Sequence, residues 1–265
     1  MSALGNAFDI IEAVVDRQHS GLAFAEVIAA TGLPKATAHR LLKELTLRGM
    51  LVFDPETRRY RGSLKLAMIG ANVMGGFDLR DHAHPHLRAM QEELGHTCHL
   101  GILDGHEGVY VDKLESRDYG IKLFSAVGKR FPLHCTGMGK ALIAHLGADE
   151  LGAILVEPLA AHTDHTITDP EQLNAELRHV RDCGYAVDRE EITRGIVCVA
   201  APVFGSDGQV VAAMSATFPA YVSAEHGLDR EIESVRRHAA AVSGDLGRHG
   251  RPLRPIAEPA RKRVS

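Results

Sequence analysis

The chain has 265 residues, 45% of them hydrophobic and 24% charged, with a net charge of −4 and four cysteines. That length accommodates two domains, and the composition is that of a folded globular protein rather than a disordered or fibrous one. No apolar run approaches the roughly 20 residues of a membrane span, no basic-then-hydrophobic segment opens the chain, and Cys98, Cys135, Cys183 and Cys198 form no CxxC pair; the expectation is a cytoplasmic protein without disulfides, membrane contact or cofactor.

The charge is unevenly spread. Residues 1–65 carry 9 Lys/Arg against 7 Asp/Glu, residues 66–247 carry 15 against 26, and residues 248–265 carry 6 against 1. A basic head on an acidic body suits local contact with a polyanion. Helices are predicted over Ala3–Gln18, with Phe8, Ile11 and Val15 on one face, and over Leu22–Ala30, with Phe24, Val27 and Ile28 on another. Gly32 suits the exit of the second helix and Pro34 the first turn of a third. In that third helix Ala38, Leu41, Leu42 and Leu45 fall at i, i+3, i+4 and i+7, while Lys35, Ala36, Thr37, His39, Arg40 and Lys43 take the opposite face. An apolar stripe backed by cations, with small residues at the N-terminal end, suits the DNA major groove; an amphipathic surface helix is the alternative. Met50–Phe53 and Arg58–Gly62 flank Asp54-Pro55-Glu56-Thr57 and predict a hairpin. Three helices and a hairpin make a winged helix-turn-helix, with Arg58, Arg59 and Arg61 charging the wing unless they merely solvate an edge strand. On a strand Arg59 and Arg61 share a side and Arg58 does not.

Residues 63–75 read as a linker helix, Gly75-Gly76 as a break, and Asp78–Leu94 as a helix with Leu79, His82, Leu87, Met90 and Leu94 inward. His82, His84 and His86 stand at i, i+2 and i+4 around Pro85, poor geometry for three ligands on one helix face. Strands follow at Thr97–Asp104, Val109–Glu115 and Ile121–Ala126, then helices at Thr136–Leu146, Ala148–Val156 and Glu171–Cys183, the last capped by Asp169. Tyr185–Asp188, Ile196–Pro202 and Val210–Thr217 are further strands, and a last helix spans about Ser223–Leu246. Hairpins mixed with helices imply an α+β domain with a largely antiparallel sheet. The expected domains are 1–62, a winged helix-turn-helix; 63–80, a linker helix; 81–248, an effector-binding and oligomerisation domain; and 249–265, a basic, disordered tail.

Two features of the second domain suit a small polar ligand. The loop Gly128–Lys140 is punctuated by glycines and enters a helix, so the amides of Gly137 and Met138 are placed to hold a carboxylate; its spacing is not that of a phosphate loop, and a simple turn is the competing reading. Ser215 and Thr217, at i and i+2, share a strand face, with Cys198 and Asp188 on neighbouring patterns. Buried polar groups need partners, which a ligand or the backbone would supply. A Cys/His hydrolase drawn from Cys98, His99, His134, Cys135 and Cys198 has no local signature, and the spacing of His96, Cys98, His134 and Cys135 does not specify zinc. The expectation is no catalytic residue and no metal ligand; the competing class is a small-molecule-binding or metal-dependent enzyme domain carrying a vestigial DNA-binding head.

Thr31-Gly-Leu-Pro-Lys-Ala-Thr-Ala-His-Arg-Leu-Leu42 resembles the helix-turn-helix of the IclR (isocitrate-lyase regulator) family of bacterial transcription factors. Val109–Ser116, Pro132–Leu142, Thr166–Asp169, Gly184–Glu191 and Gly195–Pro202 are similar to the family's second domain, so the resemblance covers about residues 3–248. It implies a GAF-like effector domain, operator DNA as partner, and homodimers through the N-terminal part, often paired into homotetramers. It also implies a ligand-responsive regulator, repressor before activator, that controls catabolic genes. The resemblance maps the effector pocket onto Gly137, Met138, Asp188, Cys198, Ser215 and Thr217, with Leu123, Phe124 and Phe131 as apolar lining, and implies a small carboxylate or related metabolite. Met138 stands where a smaller residue is common, Phe218 where glycine is common, and the arginine common near Asn6 is missing.

Overall fold

The computed structural model describes residues 2–74, 78–116, 123–155 and 158–249. The chain divides into two compact units, residues 1–77 and 78–265. The expected tail, apart from His249, and the Gly75-Gly76 break lie outside the described residues.

In the first unit, α1 (Ala3–Asp16) is capped by Ser2, whose Oγ accepts Gly5 N–H at 3.1 Å. A two-residue strand β1 (Leu22–Ala23) leads into α2 (Phe24–Thr31). Gly32 takes the left-handed conformation, φ 65°, as the helix exit requires. Pro34 then sits one residue before α3 (Lys35–Leu47) rather than inside it. Strands β2 (Leu51–Asp54) and β3 (Arg59–Gly62) form the hairpin, and β1 pairs with β3, so the wing sheet has three strands. A strand of two residues is too short for alternation to reveal, which is why 22–23 read as helix. Asp54 fixes the turn: its Oδ1 accepts Glu56 N–H at 3.0 Å, and Thr57 Oγ1 donates to its Oδ2 at 2.6 Å. Ile10, Val14, Leu22, Val27, Leu33, the α3 stripe and Leu51 form one core. Helix α4 (Leu64–Met74) is tied to this unit, Lys65 Nζ donating to Arg48 O at 2.9 Å.

The second unit begins with α5 (Asp78–Leu94), whose buried stripe is Leu79, Ala83, Leu87, Met90 and Leu94; His82 is half-buried beside it. His84 and His86 diverge, meeting Asp112 at 2.6 Å and Asp245 at 2.9 Å. Strands β4 (Thr97–Asp104) and β5 (Glu107–Leu114) are followed by β6 (Arg130–Phe131), then α6 (Gly137–Ile143), α7 (Ala148–Ile154) and α8 (Pro170–Cys183). The strand expected at 121–126 is absent over residues 123–126, which form a loop, and 121–122 lie outside the described residues. Asp169 caps α8 as expected, its Oδ1 accepting Gln172 N–H at 2.8 Å. Strands β7 (Ala186–Arg189), β8 (Ile196–Phe204) and β9 (Val210–Pro219) complete an antiparallel sheet of order β6-β5-β4-β9-β8-β7. The last helix is two, α9 (Ala220–His226) and α10 (Asp229–His249), separated at Gly227, φ 75°. Helices α5 and α10 pack against the sheet, and α6 contacts β7, β8 and β9 and is backed by α8. No described helix is long and apolar enough to cross a membrane.

Candidate functional site

On the first unit, Lys35, Ala36, His39, Arg40 and Lys43 are exposed along α3 and Thr37 is half-exposed, because the buried stripe of the same helix faces the core. Among the described residues Lys35, Arg40, Lys43 and Arg58 enter no ion pair, which leaves those cations available to phosphates or base edges. His39 lies edge-on to Phe24, ring centres 6.1 Å apart. The three wing arginines differ. Arg58 is exposed at the turn with φ 53°, whereas Arg59 Nη1 donates to Gly21 O at 2.9 Å and Glu26 Oε2 at 3.0 Å, and Arg61 pairs with Asp54 at 3.5 Å. Arg59 therefore clamps β3 to the start of α2, a role that its sequence position did not disclose.

On the second unit, sheet register builds the other site. Asp188 lies opposite Cys198, Cys198 opposite Thr217, and Thr217 opposite Thr97; Ala200, Ser215, His99 and Lys113 form the adjacent row. Since cross-strand partners share a face, one face of four strands gathers a carboxylate, a thiol, three hydroxyls and an imidazole. The α6 N-terminus closes over it. A β-carbon added at Gly137 would lie 3.1 Å from Cys198 O and 3.3 Å from its Sγ, so a larger residue would push the helix and the strand apart by a few tenths of an ångström. Thr136 caps that helix, accepting Gly139 N–H at 3.0 Å. Burial first, then Asp188, pushes the Cys198 thiol up to about 11, while Thr217, Ser215 and the Met138 backbone act in the opposite sense. Burial likewise raises Asp188 to about 7, with its Oδ1 accepting Glu191 N–H at 2.7 Å. Burial pulls His99 down to about 3, so its ring is neutral. His99 Nε2 lies 2.8 Å from Ser125 Oγ and its Nδ1 3.5 Å from Ser215 Oγ.

The apolar lining is only partly as expected. Phe131 is buried against Tyr110, ring centres 4.6 Å apart, and Met138 belongs to the same cluster. Leu123 is half-buried, but Phe124 is 92% exposed and contributes no wall. Ser125, one residue on, takes the inward place. His99, Tyr110 and Ser125 were not among the expected site residues. Alternation on β4 would have put Thr97, His99 and Gly101 on one side, but nothing local says that β4 lies beside β9.

A model described as the IclR helix-turn-helix domain matches residues 3–55, and one described as the bacterial transcriptional regulator IclR C-terminal domain matches residues 71–244. The chain is 38% identical over 248 residues to the HTH-type transcriptional regulator XynR of Escherichia coli, an alignment spanning 93% of this chain and 98% of that protein. Among solved structures it is similar to the Thermotoga maritima IclR, with TM-score 0.77 and 32% identity, covering 92% of this chain and 98% of that one. It is also similar to an IclR homologue from Microbacterium hydrocarbonoxydans complexed with 4-hydroxybenzoate, with TM-score 0.83 and 25% identity, covering 94% and 100%.

Proposed function

The chain belongs to the IclR family of bacterial transcriptional regulators, and on that premise we propose that it represses catabolic genes until a small organic acid, a hydroxy acid above others, fills the cradle of its second domain. The head reads DNA with α3: Lys35, Ala36, Thr37, His39 and Arg40 face base edges, and Lys43 and the wing-tip Arg58 hold phosphates. Arg59 and Arg61 support the wing from within rather than lead the contact, because both are already paired. Repression is the simpler direction, since a bound head blocks polymerase by occupancy and needs no further contact surface.

The observation that carries the ligand class is the convergence on Cys198. The α6 N-terminus, with the Met138 amide, is pressed against a sulfur, a weak acceptor: a β-carbon at Gly137 would lie 3.3 Å from Cys198 Sγ. A carboxylate is a far better partner for that amide and for Gly137. The hydroxyls of Ser215 and Thr217, and Asp188 opposite, suit a ligand hydroxyl. Cys198, a buried thiol that burial keeps protonated and that no nucleophile signature flanks, acts as a neutral packing group; the reading is binding, not catalysis. Exposed Leu4, Phe8 and Val15 on α1 and Leu64, Met68 and Ile69 on α4 supply an apolar surface for a homodimer, with a dimer of dimers through the second domain. A ligand that binds one dimer geometry better than another shifts operator affinity by that difference.

A mobility shift on the gene's own upstream DNA, run with a panel of hydroxy and aromatic acids, tests this. Release by one acid, lost in Ser215→Val/Thr217→Val, is the expected result. A shift that every acid leaves unchanged at saturating concentration contradicts the ligand class.

A further inference from the structure

His134, Cys135 and His162 bring one donor atom each to within 4.8 Å of the others, outside the set assigned to the effector. His134 and Cys135 are consecutive, but they stand in the bend 133–136 before α6 rather than in a strand, so alternation does not force them apart. His162 arrives on the loop before α8, and that loop is fixed. His162 N–H and Thr163 N–H donate to Thr166 Oγ1 at 3.0 and 2.9 Å, while the hydroxyls of Thr163 and Thr166 donate to the carbonyls of Glu190 and Glu191, each at 2.7 Å.

His134 Nε2–H donates to Ala160 O at 2.9 Å. A carbonyl only accepts, so the proton is on Nε2 and the neutral ring keeps its lone pair on Nδ1. A metal-bound imidazole is usually oriented in this way, its second N–H held by a backbone carbonyl. Charges of both signs stand nearby, Glu191 and Lys140 each acting on both His134 and Cys135. Glu191 is 4% exposed and close enough to act electrostatically on both His134 and Cys135; Lys140 holds its Oε1 at 2.5 Å, and its buried Oε2 has no hydrogen-bond partner among the described residues. A buried carboxylate oxygen left unpartnered is costly, and a cation in the neighbouring cluster would relieve it.

We propose that His134, Cys135 and His162 form a three-ligand site for a borderline-soft divalent cation, Zn²⁺ before others. Two imidazoles and a thiolate exclude Mg²⁺ and Ca²⁺, which take oxygen ligands. Zn–N and Zn–S distances of about 2.0 and 2.3 Å require the donors to close in somewhat, and exposed His162 has the freedom to do so. Binding releases the Cys135 thiol proton to solvent and leaves a fourth position for water. The bound ion would staple the loop before α8 to the residues that lead into α6, stiffening one side of the effector cradle.

The test uses the full chain, stripped with a chelator and titrated with Co²⁺ alone. We expect one equivalent per chain, a near-ultraviolet thiolate-to-cobalt charge-transfer band, and displacement by Zn²⁺. Cys135→Ser removes the band, Cys183→Ser keeps it, and His162→Ala, a change at an exposed position that spares the core, weakens Co²⁺ binding by about 10-fold or more. Absence of stoichiometric uptake, a band that survives Cys135→Ser, or wild-type affinity in His162→Ala overturns the proposal. None of these readouts involves DNA or an organic acid, so failure of the regulatory reading leaves a distinct signature.

Discussion

Asp188→Asn isolates the electrostatic cost built into the cradle. Asp188 is 1% exposed, and burial raises its carboxyl from 3.8 to about 7. Below pH 4 the folded and unfolded chains both hold the proton, and the group contributes nothing to stability differences. Between pH 4 and 7 the folded chain keeps the proton while the unfolded chain loses it, so stability falls as pH rises. Above pH 7 the whole penalty applies, about 4 kcal/mol at 1.36 kcal/mol per pK unit. Asparagine keeps the oxygen that accepts Glu191 N–H at 2.7 Å and cannot ionise. The variant should therefore match the wild type near pH 4 and exceed it by up to about 4 kcal/mol at pH 8. For a unit of this size that is a gain of roughly 8–16 °C in Tm. Thermal melts of both proteins in matched buffers from pH 4 to 8 read the difference directly, and titrations common to both cancel. A Tm difference that does not widen with pH would refute the assignment of a raised carboxyl and, with it, the idea that ligand donors are needed to satisfy Asp188.

Other outcomes follow from the same geometry. Arg40→Ala should cost about 1–3 kcal/mol of operator affinity and relax preference at one base position, whereas Lys43→Ala should weaken all sequences alike and lower the salt slope by about one, both read by fluorescence anisotropy across salt. Ser215→Val/Thr217→Val should abolish the acid response in that assay while leaving ligand-free DNA binding intact. Two glycines only two residues apart should separate: a β-carbon at Gly139 would meet Leu133 O at 2.4 Å and Leu133 Cα at 2.5 Å, so Gly139→Ala should lose about 1–3 kcal/mol of stability in denaturant melts. Gly137→Ala, with contacts no closer than 3.1 Å, should fold and instead lose about 10- to 200-fold in effector affinity by calorimetry, because the added methyl occupies cradle space.

The α3 stripe was legible because a buried helix face writes its period into the sequence: Ala38, Leu41, Leu42 and Leu45 are the residues that the core buries. Asp169 and Gly32 were legible as local chemistry at helix ends. What stayed hidden depends on contacts distant in sequence. Strand β1 is two residues long and exists only through Tyr60 and Arg59. Arg59 looked like its neighbours on the wing, yet its partner Glu26 is 33 residues away. The row from Asp188 to Thr97 requires the order β7-β8-β9-β4, which alternation within one strand cannot give. Phe124, expected as apolar lining, faces out and Ser125 faces in because residues 123–126 form a loop, where no period fixes direction. The pairing of His134 and Cys135 with His162 likewise needs the fold to bring residues 27 and more apart together.

The most direct measurement is selection of genomic fragments by the full-length protein, sequenced with and without the acid panel. Enrichment of a few fragments sharing a near-palindromic site, lost when one acid is added, is the predicted result. Retention of DNA with no shared sequence, or no retention at low salt, would contradict a ligand-controlled operator-binding regulator and favour a ligand-binding domain with an inactive head.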